Sequence, residues 1–369
     1  MNRLNHQQAG AVSIFVVIFS ALLITVVTVS FVQIMLRDQQ QASITDLSTS
    51  AYDSAQAGVE DAKRALVEYQ VACAAGTPRC AQLAGVFNST TDRCDTLARA
   101  GVSGSVGAAE TMVQQHAGDE AMDQAYTCVN VTLNTPDYLG RLDADSSKIV
   151  PLKGVSSFNR IKLSWFTTDD YGTLSNPAEP ASGLPLAKDW DSSRPPIMRT
   201  QFIKLASNAR LESFDSSAGS STLFMYPQPT GVSTANFALD SRNPAGKKNI
   251  QSIDCGAGRP YACSVTVNLG GSVSAGQLAL LRLTALYNAT HFKVELYNGS
   301  TLINMDGVQP EVDSTGRAND LFRRVKSRIE LADTDFPYPE AALYSTKDIC
   351  KAFRVTDENS GYHDGGCQP

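Results

Sequence analysis

Side chains that usually carry catalysis are scarce in this chain. Of 369 residues only four are histidine, His6, His116, His291 and His363, and two are tryptophan. No His-Glu-x-x-His, Gly-x-Ser-x-Gly, Gly-x-Gly-x-x-Gly or P-loop pattern occurs, so zinc-hydrolase, serine-hydrolase, dinucleotide and nucleotide-phosphate readings all lack their essential residues. No Cys-x-x-Cys is present either, which removes the common structural zinc sites. Net positive charge is missing too: at −6 and a pI near 5.3 the chain is no general nucleic-acid binder. Acidic residues gather at Asp143 and Asp145, at Asp169 and Asp170, and at Asp313 with Asp320, but none matches a full calcium-loop pattern; these read as solvated turns. The expectation is a non-enzymatic protein without cofactor or metal.

The most informative absence is local. From Ala11 to Leu36 there is no charge, proline or glycine, a run longer than the roughly 20 apolar residues that cross a bilayer core. After Arg37 and Asp38 the composition turns polar. Apolar residues nevertheless continue at Ile44, Leu47, Ala51, Ala55, Val59, Ala62, Leu66 and Tyr69, steps of three and four that hold one stripe on one helix face. With no proline before Pro78, and with Glu60–Arg64 and Arg64–Glu68 spaced for i,i+4 pairing, the pattern predicts one unbroken helix over 11–69, about 85–90 Å long at about 1.5 Å per residue. Its first half suits lipid and its second half suits protein.

A polar leader with one arginine, MNRLNHQQAG, the run AVSIFVVIFSALLITVVTVSFVQIML and the amphipathic continuation together resemble the N-terminus of type IV pilin-like proteins, in particular PilX-type minor pilins and the large tip pseudopilins of type II secretion. The resemblance covers roughly the first 70 residues. It implies that a prepilin peptidase cuts after Gly10, that the mature chain starts at Ala11 with a methylated amine, and that the apolar helix is shared between the membrane and other pilin subunits in a filament. The pattern departs from most pilins at the fifth mature position, where Phe15 replaces the usual glutamate. PilX-like and tip-type members commonly lack that glutamate, so the resemblance implies a minor or tip subunit, with adhesion as its role. Two other readings compete. A cleaved secretory signal has a shorter apolar core and a small-x-small site that is absent here; a plain signal anchor, carrying a lectin-like binding module that never joins a filament, fits the hydropathy equally well. An anchored hydrolase is a more distant alternative. Arg3 before the run, and Arg37 offset by Asp38 after it, place the N-terminus in the cytoplasm and residues 40–369 outside.

Eight cysteines, Cys73, Cys80, Cys94, Cys128, Cys255, Cys263, Cys350 and Cys367, all follow the membrane run, as disulfides in an oxidising compartment require. Eight cysteines allow on the order of 100 connectivities; pairing of sequence neighbours, 73–80, 94–128, 255–263 and 350–367, is the simplest. Pilins characteristically staple their C-terminal region, so the resemblance also implies the last of these.

Residues 71–125 are rich in small and turn-forming types and read as a connection, with short helices around Asp92–Ala100 and Ala108–His116. From Tyr126 the period changes to two. YTCVNVTL, RIKLSWFTT, IMRTQFIKLA, STLFMYP, CSVTVNL, LALLRLTALY, HFKVELY, TLINM and VKSRIEL are short runs rich in β-branched and aromatic residues. The clearest pair is HFKVELY and STLINM around Asn298–Gly299, a hairpin turn signal. The proline-rich stretch 172–196 reads as a surface loop. In LFRRVKSRIEL, Arg324, Lys326 and Arg328 share one strand face over a hydrophobic underside of Val325 and Ile329. That stripe reads either as the solvated face of an antiparallel sheet or as a site for an anionic surface polymer or DNA, ligands to which pilus-tip proteins often adhere.

The expected fold class is α+β: a leader over 1–10, the transmembrane half of a long helix over 11–36, its amphipathic half over 37–70, a connection over 71–125, a mostly antiparallel, sandwich-like β ectodomain over 126–340, and a disulfide-closed end over 341–369.

Overall fold

Helix α1 (Ala9–Ala74) is a single rod of 66 residues, about 100 Å long at about 1.5 Å per residue. The computed structural model describes residues 9–88, 94–102, 110–113, 123–172, 189–204, 220–237 and 250–331. Most of the leader, the greater part of the 172–196 loop, His6, His116, His363, and Cys350 with Cys367 lie outside the described residues. α1 runs five residues beyond the expected Tyr69 and ends in a Schellman turn. Gly76 there takes the left-handed φ of 63°, while its N–H reaches the Cys73 carbonyl and that of Thr77 reaches Ala72. Thr77 then precedes Pro78 at the start of α2 (Pro78–Phe87), and the disulfide Cys73–Cys80 staples the corner. The connection is thus more helical than expected. α2 folds back along α1, burying Leu83 and Phe87, with the Phe87 ring edge-on to Tyr69 at 6.0 Å.

The second half of α1 lies on a four-stranded antiparallel sheet ordered β1 (Thr111–Met112), β2 (Gln124–Thr132), β14 (Glu311–Ala318) and β15 (Leu321–Arg328). Ala51, Ala55, Val59, Ala62, Ala65 and Leu66 are fully buried against it, so the sequence stripe is the contact face. Ile44 falls outside that face and stays 57% exposed, because the sheet begins only near Ser48, where Arg323 Nε donates to the Ser48 hydroxyl at 2.8 Å. Small residues set the spacing: a Cβ on Gly316 would sit 2.2 Å from both the Ala51 carbonyl oxygen and the Ala55 nitrogen, and one on Gly58 would sit 2.4 Å from Ser314 Oγ. The anticipated i,i+4 pairs are replaced by Lys63–Glu60 at 2.5 Å and Arg64–Asp61 at 3.1 Å, both i,i+3, while Glu68 is taken by Arg79 of α2 at 2.8 Å.

Between β2 and β14 the chain makes an excursion of two further sheets. One is ordered β13 (Thr301–Ile303), β12 (Thr290–Asn298), β5 (Phe158–Thr167), β10 (Tyr261–Val273) and β8 (Thr234–Asn236), with β3 (Asp137–Leu142) also pairing to β12. The other is ordered β4 (Ser147–Leu152), β11 (Ala279–Leu286), β6 (Ile197–Lys204), β7 (Ser220–Gln228) and β9 (Ile250–Asp254). Pairing is antiparallel except for β8 on β10 and β9 on β7. Both sheets feed one core that includes Phe158, Ile161, Leu163 and Trp165 from the first and Val150, Met198, Leu223 and Leu283 from the second. The disulfide Cys255–Cys263 closes the approach to β10.

Several expectations need correction. Thr111–Met112 pairs with Ala125 and Tyr126 as a strand instead of forming a helix over Ala108–His116; sheet hydrogen bonds outweigh the local helical preference there. The other short helix shrinks to α3 (Thr96–Arg99). The hairpin turn is Gly299–Ser300, since Asn298 already pairs with Thr301 and only Gly299 has positive φ, 62°. Five strands, β3, β4, β8, β9 and β14, lie outside the β-rich runs named from the sequence.

Candidate functional site

The largest unsatisfied surface is the first half of α1. Every large apolar side chain from Ile14 to Leu36 is exposed, between 51% for Ile18 and 73% for Phe19. It is the one described helix long and apolar enough to cross a membrane. Three of the polar side chains there are satisfied within the helix: the hydroxyls of Thr25, Thr28 and Ser30 donate to carbonyls at 21, 24 and 26, at 2.8 to 3.0 Å, as suits polar groups surrounded by hydrocarbon. Gly10 and Ala11 fall in the first turn of this helix.

The basic stripe Arg324, Lys326 and Arg328 lies on the sheet face turned away from α1, where Asp313 and Glu311 of β14 oppose it. Arg324 and Lys326 lean one register diagonally, and Arg328 meets the residue directly opposite it. Arg324 grips Asp313 through two nitrogens, Lys326 meets Glu311 at 3.0 Å, and Arg328 reaches Glu311 at 3.2 Å and Asp137 at 3.1 Å. The hydrogen bond from Arg324 holds the Asp313 carboxyl below the usual range, and Glu311 holds the Lys326 ammonium above its own. Together with Cys128, Asn130, Thr132 and Thr315 these groups line a polar groove of about 520 Å³. The stripe is therefore a ladder in which each cation is paired with a carboxylate.

The remaining sequence candidates fall into structural duties. Asp313 belongs to the ladder instead of a turn; Asp145 Oδ1 accepts the Tyr287 N–H at 3.0 Å; Asp170 accepts the N–H of Thr167 at 2.8 Å, completing a capping box on α4 (Thr168–Tyr171). The same carboxylate accepts the His291 N–H and lies 2.7 Å from its Nδ1, fastening α4 to β12. No three His, Cys, Asp or Glu side chains come together among the described residues. Cys94–Cys128 bridges the α3 segment to β2, so three of the four neighbour pairs are present.

Residues that sequence reasoning missed hold the excursion to the sheet. Thr135 and Gln309 are buried. Thr135 Oγ1 donates to the Gln309 carbonyl at 3.0 Å, and the Gln309 amide both accepts from Leu139 N and donates to Leu139 O, at 2.9 and 2.8 Å. Lys148–Glu330 at 2.5 Å and Lys153–Asp306 at 2.8 Å add ion pairs around this neck. Burial, with the Glu330 charge nearby, pushes the Tyr138 phenol far above the ordinary tyrosine range. A long-range side-chain pairing of this kind has no periodic signal in sequence.

No family model, curated protein or solved structure matches the chain.

Proposed function

We propose that this protein is a membrane-inserted minor subunit, placed at the tip, of a type IV pilus or related filament, with a structural and adhesive role and no catalytic one. The observation that carries the reading is α1 itself: one uninterrupted helix, bare and apolar over Ile14–Leu36, whose continuation packs by small residues on an antiparallel sheet. Such a helix serves twice, in lipid before assembly and against neighbouring subunits afterwards, with close packing replacing lipid contact. The N-terminus is on the cytoplasmic side and the disulfide-bonded remainder outside, where thiols oxidise. The two sheets of the excursion form a sandwich-like head, too bulky to repeat along a shaft and suited to a capping position. Phe15, in place of an acid, agrees with a subunit that meets no earlier one.

Processing tests this. The mature protein should begin at Ala11 with a methylated amine, Gly10→Arg should retain the leader, and quantitative mass spectrometry of sheared filaments should find it as a trace component. An intact Met1 in the surface-exposed protein would sink the filament reading and leave a plain anchored binding module.

A further inference from the structure

β5, β10 and β12 send Leu163, Val265 and Val294 into the core of the head, so the residues between those positions share the opposite face of their sheet. Register places Tyr297 beside Arg160, Glu295 beside Lys162, and Lys293 beside Ser164 on that face. Three cations there meet one carboxylate. Glu295 is 9% exposed, with Lys293 Nζ 3.3 Å and Lys162 Nζ 3.9 Å from its oxygens. Neither ammonium makes a hydrogen bond among the described residues, and Glu295 Oε2 accepts none. Arg160 has a single long contact, 3.4 Å to the Gly299 carbonyl, while the neighbouring Asp137 is engaged by Arg328 at 3.1 Å.

The ladder on β15 is built differently, since each of its cations lies within hydrogen-bond reach of a carboxylate. An ammonium carries three donors and no acceptor, so Lys162 and Lys293 stand with their donors unspent around an acid too far away to use them. The side chains of both are less than half exposed, at 38% and 24%, which makes an anionic acceptor worth more to them than it is in open solvent. Aromatic surface flanks the same group. Lys293 Nζ stands 5.8 Å from the centroid of the Tyr261 ring, and Tyr297 pairs with Leu302, which is 41% exposed. The negative face of such a ring attracts the polarised C–H groups of a sugar. A peptide is less suited, because β5 and β12 are paired on both sides and offer no free backbone edge. A single-stranded nucleic acid needs cations tracking successive phosphates, whereas these three surround Glu295, which would repel a second phosphate.

We propose that this face of the head binds an acidic saccharide. Lys162 and Lys293, with Arg160, receive the carboxylate of the sugar, Glu295 accepts from its hydroxyls, and Tyr297 carries its ring. The inference rests on the adhesive part of the proposed role and names the ligand class for it; it needs no filament.

The test uses the full chain in detergent micelles and the fluorescence polarisation of end-labelled tetragalacturonate at low salt, with near-ultraviolet circular dichroism certifying the fold of each variant. The acidic probe should bind about tenfold more tightly than neutral cellotetraose, the difference one charge-assisted contact makes. Lys162→Gln with Lys293→Gln should weaken binding about tenfold. Tyr297→Ala should weaken it about fivefold, while Tyr297→Phe, which keeps the ring, retains it. Arg324→Gln with Lys326→Gln, in the ladder, should change nothing. Equal affinity for tetraglutamate or for oligothymidylate, or an affinity indifferent to Tyr297→Ala, would overturn the saccharide. No saturable binding, or an equal loss in the ladder variant, would overturn the site. Cleavage after Gly10 and the copy number in filaments do not depend on these residues, so either failure leaves the filament reading standing.

Discussion

Gly316 and Gly85 are both glycines inside regular elements, yet their surroundings predict opposite consequences for the same added methyl group. On Gly316 it would enter the backbone of α1 at 2.2 Å, where no side chain exists to move aside, so Gly316→Ala should cost about 3 kcal/mol, at the upper end of overpacking effects. On Gly85, within α2, it would meet nothing within 4 Å, and Gly85→Ala should stabilise by about 0.5–1 kcal/mol through helix propensity. Denaturant titration of the detergent-solubilised chain reads both; equal signs would refute the close-approach account. The ladder makes a separate prediction in pH. Asp313 has a depressed folded pKa, chiefly from its hydrogen bond with Arg324, so its contribution is present above the ordinary aspartate range and is lost as pH falls through the folded value. Asp313→Asn should therefore be less stable than the parent at neutral pH by no more than about 1 kcal/mol, given how exposed Arg324 is. That gap should close as acid is added below about pH 4; a gap that widened would contradict the ladder.

At the scale of elements, the parts legible in sequence were those whose periodicity one face dictates. The α1 stripe from Ala51 to Leu66 is the buried face of its helix, and the strands around Leu163, Val265 and Val294 bury residues two apart, at 161, 163 and 165, at 263, 265 and 267, and at 292, 294 and 296. β14 was illegible because its residues serve other needs: Gly316 and Ser314 are small to admit the helix, and Asp313 and Glu311 are acidic to meet β15, so EVDSTGRA carries the composition of a turn while forming the strand next to α1. The groove on its outer face was legible only by half, since the cations stand in one run and their partners in another. Disulfides behave similarly. Neighbour pairing anticipated three bridges, and the chain-entropy estimate ranks them: Cys94–Cys128, spanning 34 residues, is worth about 4 kcal/mol, against about 2.5 kcal/mol for Cys73–Cys80 and Cys255–Cys263, spanning 7 and 8. Non-reducing peptide mapping should recover these three links. Replacing Cys94 and Cys128 by alanine should lower the denaturation midpoint more than replacing either other pair, and the reverse order would show that native packing outweighs loop closure.

For the whole molecule, the division of the cores matters more than the number of sheets. Every residue of the larger core lies between Tyr138 and Val308, whereas the core under α1 draws on residues from Val59 to Leu133 and then on Val312. The chain leaves the helix-bound sheet after β2 and re-enters at β14, which pair directly with each other, so the head is an insertion in a hairpin. Its two ends leave together through the neck at Thr135 and Gln309, and both ends of an insertion so placed are near enough to join or to free. With a core of its own and its own disulfide at Cys255–Cys263, the segment from Asn134 to Pro310 meets the requirements of an independent domain. Expressed alone in an oxidising compartment it should fold cooperatively and protect Trp165 from solvent quenchers as in the full chain. Removing the segment and joining Leu133 to Glu311 through a short glycine-containing turn should leave a membrane-bound helix and sheet that retain the Cys94–Cys128 link. If the isolated head instead shows no cooperative unfolding transition, the neck is part of its core and the molecule is a single folding unit.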